Sequence, residues 1–231
     1  LDEIKASKDV KKVEPYNYAY YNMDKFVHKR DDYTFMLSMS SERIDKYEAI
    51  NNEGYTDWYI GDGMTYLLQD SEQYLLDWWA YVDRYAIPGT TVDSQKRNPA
   101  QSSYAQVRPD NEWAGGASDG MNAVAAMKLP TVATGKSTYN TGTKSYFMLD
   151  DKIVCMGTGI LGGYGDVYTT VENYRDLKKA PEGSDAEREN GYTEVSVDGE
   201  KLPFVFDSKI KYENPKYISL NNDRGYLFFG S

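Results

Sequence analysis

Lys144-Ser-Tyr-Phe-Met-Leu-Asp-Asp-Lys-Ile-Val-Cys-Met-Gly-Thr-Gly-Ile160 decides the fold class. Two apolar runs, rich in aromatic and β-branched residues, flank Asp150-Asp151. Such residues fit a pleated, half-buried surface, and the acidic pair supplies a turn. The stretch predicts strands at 144–149 and 153–160 in a tight antiparallel hairpin. Outward from it the pattern repeats. Strands are expected at 64–68, 114–118, 123–129, 167–173, 193–197, 217–220 and 225–229, with tight turns at Asp198-Gly199 and 222–225. Upstream, 18–28 and 33–40 read as a further hairpin around the polar cluster 29–32. Ser71 is a plausible N-cap for one short helix over 71–81, with Leu75, Leu76, Trp79 and Val82 at helical spacing. Many short strands without alternating helices predict an all-β chain, a large antiparallel β-sandwich.

The intervening segments divide the chain. Residues 1–16 are charged, and Pro15 stops any helix there, so they read as a linker from a preceding helical region. Residues 17–231 read as one β-sandwich domain. Leu1 is not an initiator Met, so the chain is expected to begin inside a longer precursor. The apolar strand at 225–229 predicts that more sheet follows. Residues 41–62 are polar and turn-rich, 88–112 form a long loop of the kind that often carries function, and 176–191 form a charged surface loop.

Composition narrows the partners. The 231 residues include 22 Tyr, 4 Trp and 7 Phe, and the formal net charge is −10. Amphipathic aromatics serve both all-β cores and sugar-binding faces. The negative charge argues against nucleic acid and anionic membranes. No apolar run approaches the roughly 18 residues of a membrane span. The one cysteine, Cys155, excludes a disulfide within the chain, and its neighbours predict a buried strand position. There is no P-loop, Cys-x-x-Cys, His-Glu-x-x-His or Gly-x-Ser-x-Gly. The single histidine, His28, reads as a sheet residue.

Six segments in order resemble the family 8 polysaccharide lyases, which include hyaluronate, chondroitin AC and xanthan lyases. They are Tyr21-Asn-Met-Asp-Lys-Phe-Val-His-Lys-Arg30 with Phe35-Met-Leu-Ser-Met-Ser-Ser-Glu-Arg43; Tyr47-Glu48-Ala-Ile-Asn51 leading into Trp58-Tyr-Ile-Gly-Asp62-Gly-Met-Thr-Tyr66; Ile87-Pro-Gly-Thr-Thr91; Gly115-Gly-Ala-Ser-Asp119-Gly; the hairpin quoted above; and Thr169-Thr-Val-Glu-Asn173. The resemblance covers about residues 20–175, and more loosely reaches 229. It implies a supersandwich-like central β region lying between an N-terminal helical catalytic domain and a C-terminal β domain of one secreted bacterial enzyme.

The implied reaction is β-elimination on an acidic, uronate-containing polysaccharide: hyaluronan or chondroitin first, xanthan close behind. In such lyases the Asn, His, Tyr and Arg that do the chemistry belong to the helical domain, so this chain is expected to be one wall of the cleft and inactive alone. Glu48 matches an acidic residue that supports the catalytic Arg and Tyr; a solvated loop carboxylate is the bland alternative. Asn51 matches a substrate-contacting Asn, or is a left-handed turn residue. Arg43 could pair with Glu48, bind sulfate or carboxylate through its planar fork, or form a structural ion pair. Trp58 is a sugar platform or a core residue. Asp150 and Asp151 resemble a pair that holds structural calcium in some members, but Ca²⁺ takes six to eight oxygens and two carboxylates are too few alone. No cofactor is needed for the chemistry. A non-catalytic carbohydrate-binding or scaffold sandwich is the competing function; it would not need Glu48.

Overall fold

The computed structural model describes residues 12–51, 53–69, 74, 78–99, 105–106, 108–130, 132–133, 136–137, 141–173, 194–203, 209–220 and 224–229. It divides into two compact units, Leu1–Asn173 and Tyr174–Ser231. In chain order the first unit contains β1 (Tyr16–Tyr20), a 3-10 turn (Tyr21–Met23), β2 (Lys25–Lys29), β3 (Thr34–Ser38), β4 (Glu48–Ala49), β5 (Met64–Leu68) and α1 (Trp78–Tyr81). There follow β6 (Thr91–Asp93), β7 (Ala105–Gln106), β8 (Ala114–Ser118), β9 (Ala123–Lys128), β10 (Val132–Ala133), β11 (Lys136–Ser137), β12 (Thr141–Met148), β13 (Ile153–Leu161) and β14 (Val167–Thr169). The second unit has β15 (Val195–Val197), β16 (Glu200–Lys201), β17 (Tyr217–Leu220) and β18 (Arg224–Leu227), in the order β16-β15-β17-β18.

Two four-stranded antiparallel sheets dominate the first unit. Sheet one runs β1-β2-β3-β5 and sheet two runs β13-β12-β9-β8. Their facing residues alternate along each strand, as a period of two requires. Phe26, Phe35 and Leu37 of sheet one, with Met39 just beyond it, join Ala123, Ala125, Met127, Tyr146 and Met148 of sheet two in one buried cluster. The small alanines of β9 lie among large side chains, which lets the two layers interdigitate. The all-β sandwich expected from the sequence is present, with one short α-helix among the described residues.

Polar side chains stitch the two sheets. His28 on β2 is fully buried: its Nε2 lies 2.9 Å from the Leu149 carbonyl and its Nδ1 lies 3.1 Å from Asn17 Nδ2. An amide nitrogen only donates and a carbonyl only accepts, so the ring is neutral with its proton on Nε2. Buried Arg30 donates to the carbonyls of Lys29 (2.8 Å), Asp150 (3.0 Å) and Met121 (2.6 Å). Both residues therefore hold the turn regions of sheet two against sheet one.

Several boundaries differ from the sequence reading. The run 18–28 is two strands, because the chain reverses at Tyr21–Met23 and Asp24 takes φ +52. Tyr21 and Met23 are apolar yet half exposed, so hydrophobicity does not mark the turn. The segment 167–173 is a strand only over Val167–Thr169. The helix spans Trp78–Tyr81; Ser71, Leu75 and Leu76 lie outside the described residues, as do 221–223 in the turn expected at 222–225. Cys155 is exposed rather than buried, because β13 is an edge strand of sheet two. The turn at Asp198-Gly199 is present, with both residues at positive φ (+50 and +88), as a tight hairpin turn requires.

His28 generates a pH prediction. Burial holds its pKa below the usual 6.5. The unfolded chain then binds the proton more readily, so stability is complete above about pH 6.5 and falls as pH drops below it. His28→Gln keeps a donor for the Leu149 carbonyl without titrating. Chemical denaturation of both proteins from pH 7 to pH 5 should show a smaller acid loss for the variant.

Candidate functional site

The segment between β3 and β5, residues 39–63, builds a displayed hairpin on a buried base. Ser40 and Ser41 are buried, and the Ser41 hydroxyl donates to Asp24 Oδ2 at 2.8 Å. Arg43 also pairs with Asp24 through Nη2, and reaches the Ala114 carbonyl at 3.3 Å. Its side chain is half exposed while that of Asp24 is buried. Arg43 thus takes the structural ion pair among the options its sequence left open, and its partner is Asp24.

Lys46 then turns inward. Its ammonium meets Asp62 Oδ2 at 2.7 Å with both side chains buried. Gly61 and Gly63 flank Asp62. At Gly63 the φ is +84, and a Cβ would fall 2.1 Å from the Tyr146 hydroxyl. The Gly-Asp-Gly triplet is therefore a close-approach device: it brings a carboxylate into the sandwich against β12. There Lys144, also buried, donates to the Gly89 carbonyl and lies near enough to Asp62 to interact electrostatically. Burial pulls the Lys144 ammonium down to about 8 from 10.5, with Cys155 and Asp62 opposing. Burial pushes the Asp62 carboxyl up, with Lys46 and Lys144 among the charges resisting.

On this base stands the hairpin. Tyr47 and Ala49 point into a second cluster with Trp58, Tyr59 and Val92. Glu48 points outward, exposed, and its backbone pairs with Gln106 of β7. Ile50 bridges Glu53, whose amide donates to the Ile50 carbonyl at 2.8 Å. Asn51 sits at the turn, exposed, with φ +53. Asn tolerates that left-handed conformation better than most residues. The turn geometry and a ligand-facing amide are thus compatible at Asn51. Gly54 closes the hairpin at φ +70, where a Cβ would fall 2.1 Å from the Glu48 carbonyl.

Trp58 is 5% exposed; its indole N–H donates to the Asn98 carbonyl at 2.9 Å and its ring packs against Tyr85. The structure places it in the core, where a sugar ring cannot stack on it. The 88–99 segment locks onto the same cluster. Arg97 pairs with Asp93 at 2.6 Å, and its Nε donates to the Tyr59 hydroxyl at 3.0 Å.

The chemistry available here is that of a positioning surface. A tyrosine serves as a base only if its pKa is lowered, and burial pushes Tyr47, Tyr59 and Tyr66 up to about 12. Glu48 and Asn51 come together on one exposed hairpin. Asp150 and Asp151 lie on the β12–β13 turn. Asp150 Oδ1 faces Arg30 at 3.2 Å, and Asp151 faces Lys152 at 2.8 Å. Each carboxylate already has a cation, and among the described residues no group of three metal-binding side chains occurs. By themselves the two carboxylates are short of the six to eight oxygens that calcium takes.

Comparison with known proteins gives a consistent picture. Residues 15–231 match the model of the polysaccharide lyase family 8 super-sandwich domain. A hyaluronate lyase of Thermasporomyces composti is 33% identical over 212 residues, spanning 90% of this chain and 25% of the relative. A xanthan lyase of Bacillus sp. (strain GL1) is 39% identical over 174 residues, 74% of this chain and 17% of that protein. Among solved structures, Paenibacillus xanthan lyase superposes with a TM-score of 0.80 at 34% identity, over 98% of this chain and 21% of its own. Streptomyces coelicolor chondroitin AC lyase, solved with chondroitin sulphate, gives 0.76 at 27%, over 96% and 26%. The chain thus spans about a quarter or less of these relatives.

Two predictions test the base of the hairpin. Removing one partner of a buried ion pair strands the other, so Lys46→Met or Asp62→Leu alone should cost about 3–5 kcal/mol, and the double variant much less. A denaturation double-mutant cycle measures the coupling. For Lys144 the folded state holds its proton less tightly than the unfolded chain, so wild-type stability rises between pH 8 and 10.5. Lys144→Met should therefore lose that rise, and chemical denaturation from pH 7 to pH 10.5 should give a flatter stability profile for the variant than for wild type.

Proposed function

The chain belongs to polysaccharide lyase family 8, and from that membership we propose that it forms the β-side wall of a cleft in which a uronate-containing polysaccharide is cleaved by β-elimination. A base removes the proton at C5 of the uronate, the bond from C4 to the leaving glycosidic oxygen breaks, and an unsaturated sugar remains. The C5 proton is weakly acidic, so the developing negative charge must be stabilised by placed donors and cations.

The observation that carries this reading is the Glu48–Asn51 hairpin, exposed at its tip and fixed below by Ala49, Tyr47 and the Lys46–Asp62 pair. The Asn51 amide would hold substrate from the β side. The Glu48 carboxylate would orient and charge-balance an Arg and a Tyr contributed by a helical domain of the same enzyme. The base itself would come from that domain. In support, the tyrosines around the hairpin have raised pKa values, and the sole histidine is sealed between the sheets with both ring nitrogens engaged. Hyaluronan or chondroitin is the first substrate class and xanthan the second; an extracellular location follows from the size of such polymers.

The test uses ultraviolet absorbance of the unsaturated uronate, with hyaluronan, chondroitin sulfate and xanthan offered both to this chain and to the longest native protein that contains it. The expected outcome is signal from the longer protein and none from the chain alone. In the longer protein, Glu48→Gln should lower kcat by about tenfold or more, and Asn51→Ala should act mainly on KM. Signal from the chain alone would place the base within these residues and overturn the reading.

A further inference from the structure

The outer face of sheet one, away from the core, carries a row in strict cross-strand register. Tyr18 pairs with Val27, Val27 with Met36, and Met36 with Tyr66. At the β5 end the row is covered, because Tyr66 packs edge-on against Tyr74 (4.6 Å between ring centroids) and near Trp78. At the β1 end it is open. Tyr18 is 56% exposed and Tyr20 is 43% exposed, with their rings 4.7 Å apart.

The rows on either side are basic at β2. Tyr20 pairs with Lys25, and Tyr16 with Lys29. Residues two apart on a strand share a face, so both ammonium groups flank the tyrosines. Lys25 Nζ donates to Ser38 Oγ at 2.6 Å and Lys29 Nζ to the Arg30 carbonyl at 2.8 Å. Each ammonium has three protons, so each keeps donors for a ligand. Burial lowers the Lys25 pKa, as expected for an ammonium short of hydration. Asp31, at the end of β2, is engaged by Lys12 at 2.9 Å.

We propose that this β1–β2 face is a second contact site for an acidic polysaccharide, separate from the Glu48–Asn51 hairpin. Tyr18 and Tyr20 offer amphipathic rings to sugar faces, and Lys25 and Lys29 meet the carboxylates. A purely apolar partner would leave two lysines desolvated, which is costly, whereas a uronate polymer satisfies rings and charges together. The proposal rests on the uronate substrate class given above and extends it to a surface that holds polymer without reacting with it.

Affinity electrophoresis of this chain, in gels cast with hyaluronan, chondroitin sulfate, xanthan or a neutral glucan, is the test. Retardation by at least one acidic polymer and none by the glucan is expected, weakening with added salt because the contacts are exposed. Tyr18→Ser with Tyr20→Ser should weaken binding by about tenfold, as loss of interface anchors does. Lys25→Gln with Lys29→Gln should weaken it comparably. Circular dichroism checks each fold, and Lys29→Glu alone serves if the tyrosine pair does not fold. If wild type is retarded and the tyrosine and lysine variants match it, this face is not a polymer site; a face that docks another protein segment would give that result. If no acidic polymer retards the wild type, this face holds no polymer and the proposal fails, while the uronate reading stands or falls separately on the absorbance test of the longer protein.

Discussion

The candidate site depends on one buried carboxylate. Asp62 receives Lys46 from the segment that leads into the hairpin, and it lies within electrostatic reach of Lys144 on β12. The loop that displays Glu48 is thereby tied to a central strand of sheet two. A buried ion pair is a poor source of net stability, because desolvating two charges offsets most of their attraction. A well-packed apolar pair would hold the loop down at least as firmly. What charges add is direction: an ammonium and a carboxylate 2.7 Å apart fix the registry of the loop in a way that interchangeable methyl groups do not. That constraint suits a loop whose exposed residues must meet groups on another surface.

Four arginines of the first unit are used in the same manner. Arg30 is spent on three carbonyls, Arg43 on Asp24, Arg84 on Asp57 at 2.7 Å, and Arg97 on Asp93. Arg43–Asp24, Arg84–Asp57 and the Arg30 bonds to Asp150 and Met121 join segments distant in sequence, and guanidinium groups suit the work because their donors lie in a fixed fork. A chain of net charge −10 that spends these arginines internally has little positive field left for a polyanion. Attraction of such a polymer would then fall to other parts of a longer enzyme, and on this chain to local groups such as the lysines of β2.

The sandwich was legible because its strands obey the simplest rule. Met64–Leu68, Ala114–Ser118 and Tyr217–Leu220 lie where short apolar runs between turn residues place them. Failures came where hydrophobicity and burial part company. Tyr21 and Met23 are apolar but line a turn, and Cys155 sits in an apolar run on an edge strand. Trp58 was ambiguous because an indole serves core and surface alike; only its N–H bond to a carbonyl forty residues away resolves it. The ion pairs were illegible for a stronger reason. No local pattern distinguishes a lysine that will be buried from one that will be solvated. The one available signal was Gly-Asp-Gly at 61–63, since glycines on both sides of a carboxylate mark close backbone approach.

Glu48 and Asn51 show how far such reading reaches. Local physics gives a solvated carboxylate and a left-handed turn residue, and the structure shows an exposed carboxylate and a residue at φ +53. Neither fact names a function. Their significance lies in what holds them: a hairpin closed by a glycine that admits no side chain and footed on buried aromatics. An ordinary surface loop does not require that investment of buried charge beneath two exposed polar groups. Here the buried pair and the glycine together fix the position of both exposed groups.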